Sequence, residues 1–209
     1  MTVAVPAGLH PDRRRICEVA IGEIGTGEVP HASNRGPVER YFPRWQVRDL
    51  EEKDARAGRQ VRGPAWCAYF VAWCWSQALE HHPLDAPVAS VDEMSLRAWA
   101  RGLWIDLRDP GDLVMGPAPG DAFVMLDGLF DQLRNDQGHT GLILRVSRDG
   151  HEWITVEGNT GHAVRLGRRR VDEPKMRGVI SVLGDIGTEG WEVGLGDVET
   201  ADVGALGTR

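Results

Sequence analysis

Apolar residues recur with a helical period along the first half of the chain and with a strand period after about residue 119. Ile16, Val19, Ala20 and Ile24 share one helical face behind Pro11, with Gly25 and Gly27 beyond them, and predict an amphipathic helix over Asp12–Ile24. The stretch 28–37 is turn-rich, a short helix around Val38–Phe42 is ended by Pro43, and Gln46–Gly63 reads as a charged connection. Cys67, Phe70, Val71, Cys74 and Ala78 then follow at i, i+3, i+4, i+7 and i+11, which predicts a buried helix over Trp66–Leu79 with Cys67 in its first turn. Ser90-Val-Asp-Glu93 has the form of a capping box, opening a third long helix over Val91–Arg101 that Gly102 stops.

From there the period is two. Pro119-Gly-Asp121 is a turn into a strand at Ala122–Leu126; after a polar loop come His139–Val146, a turn at Arg148-Asp-Gly150, and Glu152–Asn159. Ala163–Leu166 and Gly178–Leu183 read as two more short strands. Helices first and strands afterwards, joined by hairpin-length links, predict an α+β domain with N-terminal helices packed on a C-terminal antiparallel sheet. No internal repeat is present. The domain is expected over 11–183, between a disordered leader (1–10) and a flexible, acidic, Gly-rich tail (184–209) in which Trp191 is the residue suited to docking.

Composition narrows the function. The 209 residues carry 24 Lys+Arg against 31 Asp+Glu, a net charge of -7, with 42% hydrophobic residues. That excludes a disordered chain, a collagen and a membrane span, and it leaves too little basic surface for broad phosphate neutralisation, so no nucleic-acid partner is expected. The tail supplies six acids and one base, so -5 of the charge belongs to it and -2 to the rest. Met1–His10 has no Lys or Arg before its apolar stretch and is broken by Pro6, with Arg13–Arg15 only afterwards, the wrong order for a signal peptide.

Three cysteines, Cys17, Cys67 and Cys74, leave at least one free thiol. Cys67 and Cys74 lie two helical turns, about 10 Å, apart, beyond the ~7 Å reach of a disulfide. A thiol in the first turn of a helix is acidified by unpaired N–H groups, which favours Cys67 over Cys74 as a nucleophile, although packing is the commoner fate of a buried cysteine. If Arg148-Asp149-Gly150 is a three-residue loop with Gly150 left-handed, paired residue numbers sum to 298. His139 then faces Asn159, with Glu157 two residues away on the same face; an even-numbered loop would break this alignment. His31, His81, His82, His151 and His162 lack partners at metal-ligand spacing, and no H-E-x-x-H, P-loop or G-x-S-x-G is present. Asp127, Asp131 and Asp136 offer oxygens to calcium, but without the D-x-D-x-D-G spacing, so no cofactor is expected and calcium at these aspartates is the alternative.

Gly63-Pro-Ala-Trp-Cys-Ala-Tyr-Phe-Val-Ala-Trp-Cys74, Pro119-Gly-Asp121, Gly138-His-Thr-Gly-Leu-Ile143 and Val156-Glu-Gly-Asn-Thr160 follow one another in an order that resembles the CHAP family of cysteine amidohydrolases and peptidases, related to NlpC/P60 proteins. The resemblance spans about Asn34 to Leu183, beginning at Asn34-Arg-Gly-Pro37. It implies a papain-like fold, Cys67 as nucleophile, His139 as general base, and Glu157 with Asn159 orienting the imidazole. Trp66 and Asn34 are the expected substrate contacts. It also implies a substrate class, bacterial peptidoglycan, cut at the N-acetylmuramoyl-L-alanine amide or within the stem or cross-bridge. Without a signal peptide or a wall-binding module, delivery is expected through a holin, a virion or a secretion machine, the last with a carrier or immunity protein as partner; no membrane insertion is expected. The alternatives are a cytoplasmic amidase acting on a small peptide or polyamine conjugate, and a catalytically silent binding module.

Overall fold

A computed structural model describes residues 4–79, 117–126, 138–183, 190 and 194 of the chain. The expected third helix, the three loop aspartates, His81, His82 and Trp191 lie outside these residues. Helices come first and strands second, an α+β arrangement: α1 (Pro11–Gly22), a 3-10 helix (Gly36–Tyr41), α2 (Arg44–Ala57), α3 (Cys67–Leu79), then β1 (Ala122–Leu126), β2 (Gly138–Val146), β3 (Glu152–Thr160), β4 (Ala163–Arg170) and β5 (Met176–Ile180). The strands form one antiparallel sheet in the order β4-β3-β2-β1-β5. No described helix is long and apolar enough to cross a membrane.

Strand alternation divides the sheet. Ala122, Val124, Leu142, Leu144, Ile154, Val156, Val164 and Ile180 face the main core with α1 and α3. Phe123, Ile143, Val146, Trp153 and Val179 form a smaller cluster on the other face. α3 lies against α1, β2 and β3 and is buried nearly all round, not on one stripe. Gly158 lets it approach, since a Cβ there would stand 2.7 Å from the Cβ of Phe70. The Pro-Gly-Asp turn into β1 is tied to both helices: Trp75 Nε1 donates to the Gly120 carbonyl at 2.9 Å, and Arg13 Nη1 donates to Asp121 Oδ1 at 2.7 Å with neither side chain exposed.

Several boundaries differ from the sequence expectation for local reasons. The charged connection after Gln46 is largely helical: i,i+4 pairs Asp49–Lys53 and Glu52–Arg56 run along α2, and left-handed Gly58 ends it. Helix α1 stops at Gly22, leaving Ile24 exposed. β4 continues through Arg168, Arg169 and Arg170, paired with Ile154, Trp153 and Glu152. The leader expected to be disordered is docked from Ala4 on: Leu9 is buried, and Arg145 donates two hydrogen bonds to the Ala4 carbonyl. Within the acidic tail, the Gly194 N–H donates to the Val146 carbonyl at 2.9 Å.

The β2–β3 hairpin corrects the register argument. Its loop has four residues, because Ser147 N–H donates to the Glu152 carbonyl, and near the turn Val146 faces Trp153 and Arg145 faces Ile154. A bulge between Ile143 and Arg145 then absorbs one residue, so Leu142 faces Val156 and the expected sum is restored at that pair.

Candidate active site

Cys67 is the first residue of α3, and the Phe70 N–H already donates to the Trp66 carbonyl ahead of it at 2.9 Å. The thiol therefore sits among the unpaired N–H groups of a helix start. His139 stands near the start of β2, its ring 6.0 Å from that of Phe123 on the sheet face away from α3. Helix and strand meet at the end of the sheet. There His139 and the backbone N–H groups of Thr140 and Ala68 stand close enough to the Cys67 thiol to act on its proton.

Glu157 fixes the imidazole from the other side. His139 Nε2 lies 2.8 Å from Glu157 Oε2, which leaves Nδ1 for the thiol. The Glu157 carboxylate is fully buried and accepts from Arg169 Nε at 2.8 Å, Arg169 Nη2 at 2.5 Å, Thr155 Oγ1 at 2.6 Å and Thr160 Oγ1 at 3.2 Å. Two glycines make room for it. A Cβ at Gly167 would fall 2.1 Å from Glu157 Oε1, and one at Gly141 would fall 2.8 Å from Glu157 Cγ.

The electrostatics follow from these contacts. Burial opposes the Cys67 thiolate, but the hydrogen bond and charge of His139, with the Thr140 and Ala68 N–H groups, hold the thiol below its ordinary value. Burial also opposes the imidazolium, but Cys67 and Glu157 lift His139 to about 10. Glu157 is itself held well below the usual carboxylate range: burial works against this, and His139 and Arg169 outweigh it. Each partner is thus shifted toward its charged form, thiolate for Cys67 and imidazolium for His139. The other thiols are not: burial pushes Cys17 up to about 12 and Cys74 well above its ordinary value.

Cys67, His139 and Glu157 come together as the sequence suggested; the other three expected site residues do not. Asn159 is left-handed (φ 63°) in a bulge where Gly158 and Asn159 together occupy the place opposite Val164. The extra residue inverts the alternation, and Thr160, not Asn159, reaches the site, its Oγ1 3.3 Å from His139 Nε2. Trp66 is fully buried, stacked on Tyr41, and its Nε1 donates to Glu28 Oε1 at 2.9 Å. Asn34 is buried and donates from Nδ2 to the Gly63 carbonyl at 2.9 Å. Both brace the approach to α3 instead of facing a substrate. Glu28, which also accepts the Asn34 N–H at 2.9 Å, joins the two. Arg169, Thr155 and Thr160 were missed; the alternation of β3 could have suggested Thr155, whereas Arg169 comes from β4 beyond its expected end.

Among the described residues no cluster of three or more His, Cys, Asp or Glu side chains could hold a metal ion. No protein-family model, curated protein or solved structure matches the chain. The arrangement itself can deliver a thiolate to an electrophilic carbon beside an imidazolium able to protonate a leaving group.

Proposed function

We propose that the chain is a papain-like cysteine hydrolase that cleaves an amide bond of bacterial peptidoglycan. One observation carries the catalytic part: the Cys67 thiol at the start of α3 is shifted toward its thiolate by an imidazole that a buried carboxylate holds at 2.8 Å through Nε2. The substrate class rests on the order of motifs that resembles CHAP proteins, as do delivery to the wall from the cytoplasm and a carrier or immunity partner.

In the reaction, the Cys67 thiolate attacks the amide carbonyl and forms a tetrahedral oxyanion. The Cys67 N–H, unpaired within the helix, is one donor to that oxygen. His139 gives its proton to the leaving amine as the C–N bond breaks, leaving a thioester on Cys67. The neutral imidazole then takes a proton from water, hydroxide adds to the thioester carbonyl, and the acid product departs as the thiolate reforms. Glu157 keeps the imidazolium aligned, and Arg169, Thr155 and Thr160 keep Glu157 ionised and in place.

Mass spectrometry of purified peptidoglycan digested with the wild type and with Cys67→Ala tests this. New N-terminal alanine on free stem peptides identifies the muramoyl amide, and a cut inside the peptide an endopeptidase. An intact wall in the presence of active enzyme on small amides would move the substrate to the cytoplasm. Unchanged digestion by Cys67→Ala would remove the mechanism.

A further inference from the structure

Glu28 is a fully covered carboxylate outside the reacting pair. Its Oε1 accepts from Trp66 Nε1 at 2.9 Å, its Oε2 accepts from the Asn34 N–H at 2.9 Å, and its own N–H donates to the His162 carbonyl at 3.0 Å. His162 Nδ1, buried and without a hydrogen-bond partner, lies 3.4 Å from the same Oε2. Trp66 immediately precedes Cys67, and His162 stands two residues beyond Thr160. We propose that Glu28 is a positioning residue: it fixes the start of α3 relative to the β3–β4 turn, and so the nucleophile relative to the imidazole. This rests on the reading of Cys67 and His139 as the reacting pair.

Packing alone does not account for a carboxylate here. Taking its charge out of water opposes folding, and an apolar side chain would fill the same space with less penalty. What the carboxylate adds is direction, toward both sides of the site. On one side, the Trp66 ring stacks on Tyr41, and its Cζ3 would stand 2.9 Å from a Cβ at Gly158. The Trp66 carbonyl receives the Phe70 N–H that opens α3. Anchoring Nε1 therefore holds both the ring and the carbonyl that starts the helix at Cys67. On the other side, Thr160 Oγ1 lies 3.3 Å from His139 Nε2 and donates to Glu157 Oε2 at 3.2 Å. The turn that Glu28 holds thus carries a contact to the imidazole and to its carboxylate. Backbone strain gathers at the same place. Among the described residues, the non-glycine positions with positive φ are Ala32, Asn34, Asn159 and His162. Glu28 bonds two of them, Asn34 and His162, directly, and such conformations persist only where their surroundings over-determine them.

Two variants test this, Glu28→Met, which removes both acceptors, and Glu28→Gln, which keeps one. Each is first shown to be folded by near-UV circular dichroism. The readouts are the pH onset of Cys67 alkylation by iodoacetamide, taken without substrate, and kcat and KM on stem peptides. In Glu28→Met, kcat is expected to fall at least about ten-fold with KM changed less than about two-fold, within the roughly hundred-fold that a 1 Å misplacement costs. The alkylation onset should rise. Glu28→Gln should move kcat and the onset in the same directions by less, and it decides alone if Glu28→Met does not fold. An unchanged onset or an unchanged kcat in folded protein, even with lowered stability in urea, makes Glu28 structural only and overturns the proposal. Where the wild type cleaves no amide, a rise of the onset in the variants sustains the placement of Cys67 by Glu28 and removes the hydrolase reading.

Discussion

Cys67 differs from Cys17 and Cys74 by position, not burial: all three are buried, but one begins a helix facing an imidazole. The consequence is a pH window. The thiolate–imidazolium pair exists above the lowered pKa of Cys67 and is lost as pH rises through about 10, where His139 deprotonates. Alkylation of Cys67 by iodoacetamide should therefore begin below the ordinary thiol value of 9.0, and His139→Ala should move the onset upward, because burial is then opposed only by the Thr140 and Ala68 N–H groups. Glu157→Gln removes the charge that favours the imidazolium and should lower kcat roughly a hundred-fold, with a smaller upward shift of the same onset. Steady-state kinetics and labelling followed by peptide mapping read both. At this scale the sequence was legible where one residue's place in an element decides its chemistry, as with Cys67. For Trp66 and Asn34 the sequence did not show that their polar atoms are spent inward, on Glu28 and on the Gly63 carbonyl.

Elements decide which neighbours a side chain meets, and here two bulges govern the site. The one in β2 cancels the error of a four-residue turn, so His139 and Glu157 meet although the loop was misjudged. The one in β3 exchanges Asn159 for Thr160. Neither is marked in the local pattern: the β3 bulge sits where Gly158 packs on Phe70 and Trp66, a contact between distant segments. Asn159→Gly should keep hydrolysis near the wild-type rate, because the position needs positive φ and not an amide, whereas Asn159→Val should cost about 1–3 kcal/mol in urea unfolding. Thr160→Val, by contrast, should lower kcat. Gly167→Ala places a methyl on the Glu157 carboxylate and should reproduce the raised alkylation onset of Glu157→Gln without replacing a titrating residue. An unchanged onset would mean that β4 yields and the carboxylate stays.

Across the whole molecule, the order helices then antiparallel strands was legible because each element's period is local, and the burial of α3 followed from its run of apolar residues. The way the layers lock together was not, since it depends on polar contacts between residues far apart in sequence. Arg13 is the main case: an arginine in a charged run, it is fully buried against Asp121, and it also donates to the Pro119 carbonyl at 3.1 Å. Arg13→Met strands the Asp121 carboxylate and should destabilise the fold by about 3–5 kcal/mol in urea unfolding, with part of the loss recovered by adding Asp121→Asn. The most direct measurement of the central claim is intact-mass analysis of the wild type, acid-quenched during turnover of stem-peptide substrate. A thioester adduct of one acyl fragment, mapped to Cys67 and absent from Cys67→Ala along with hydrolysis, is the expected result; hydrolysis by Cys67→Ala at the wild-type rate would contradict it.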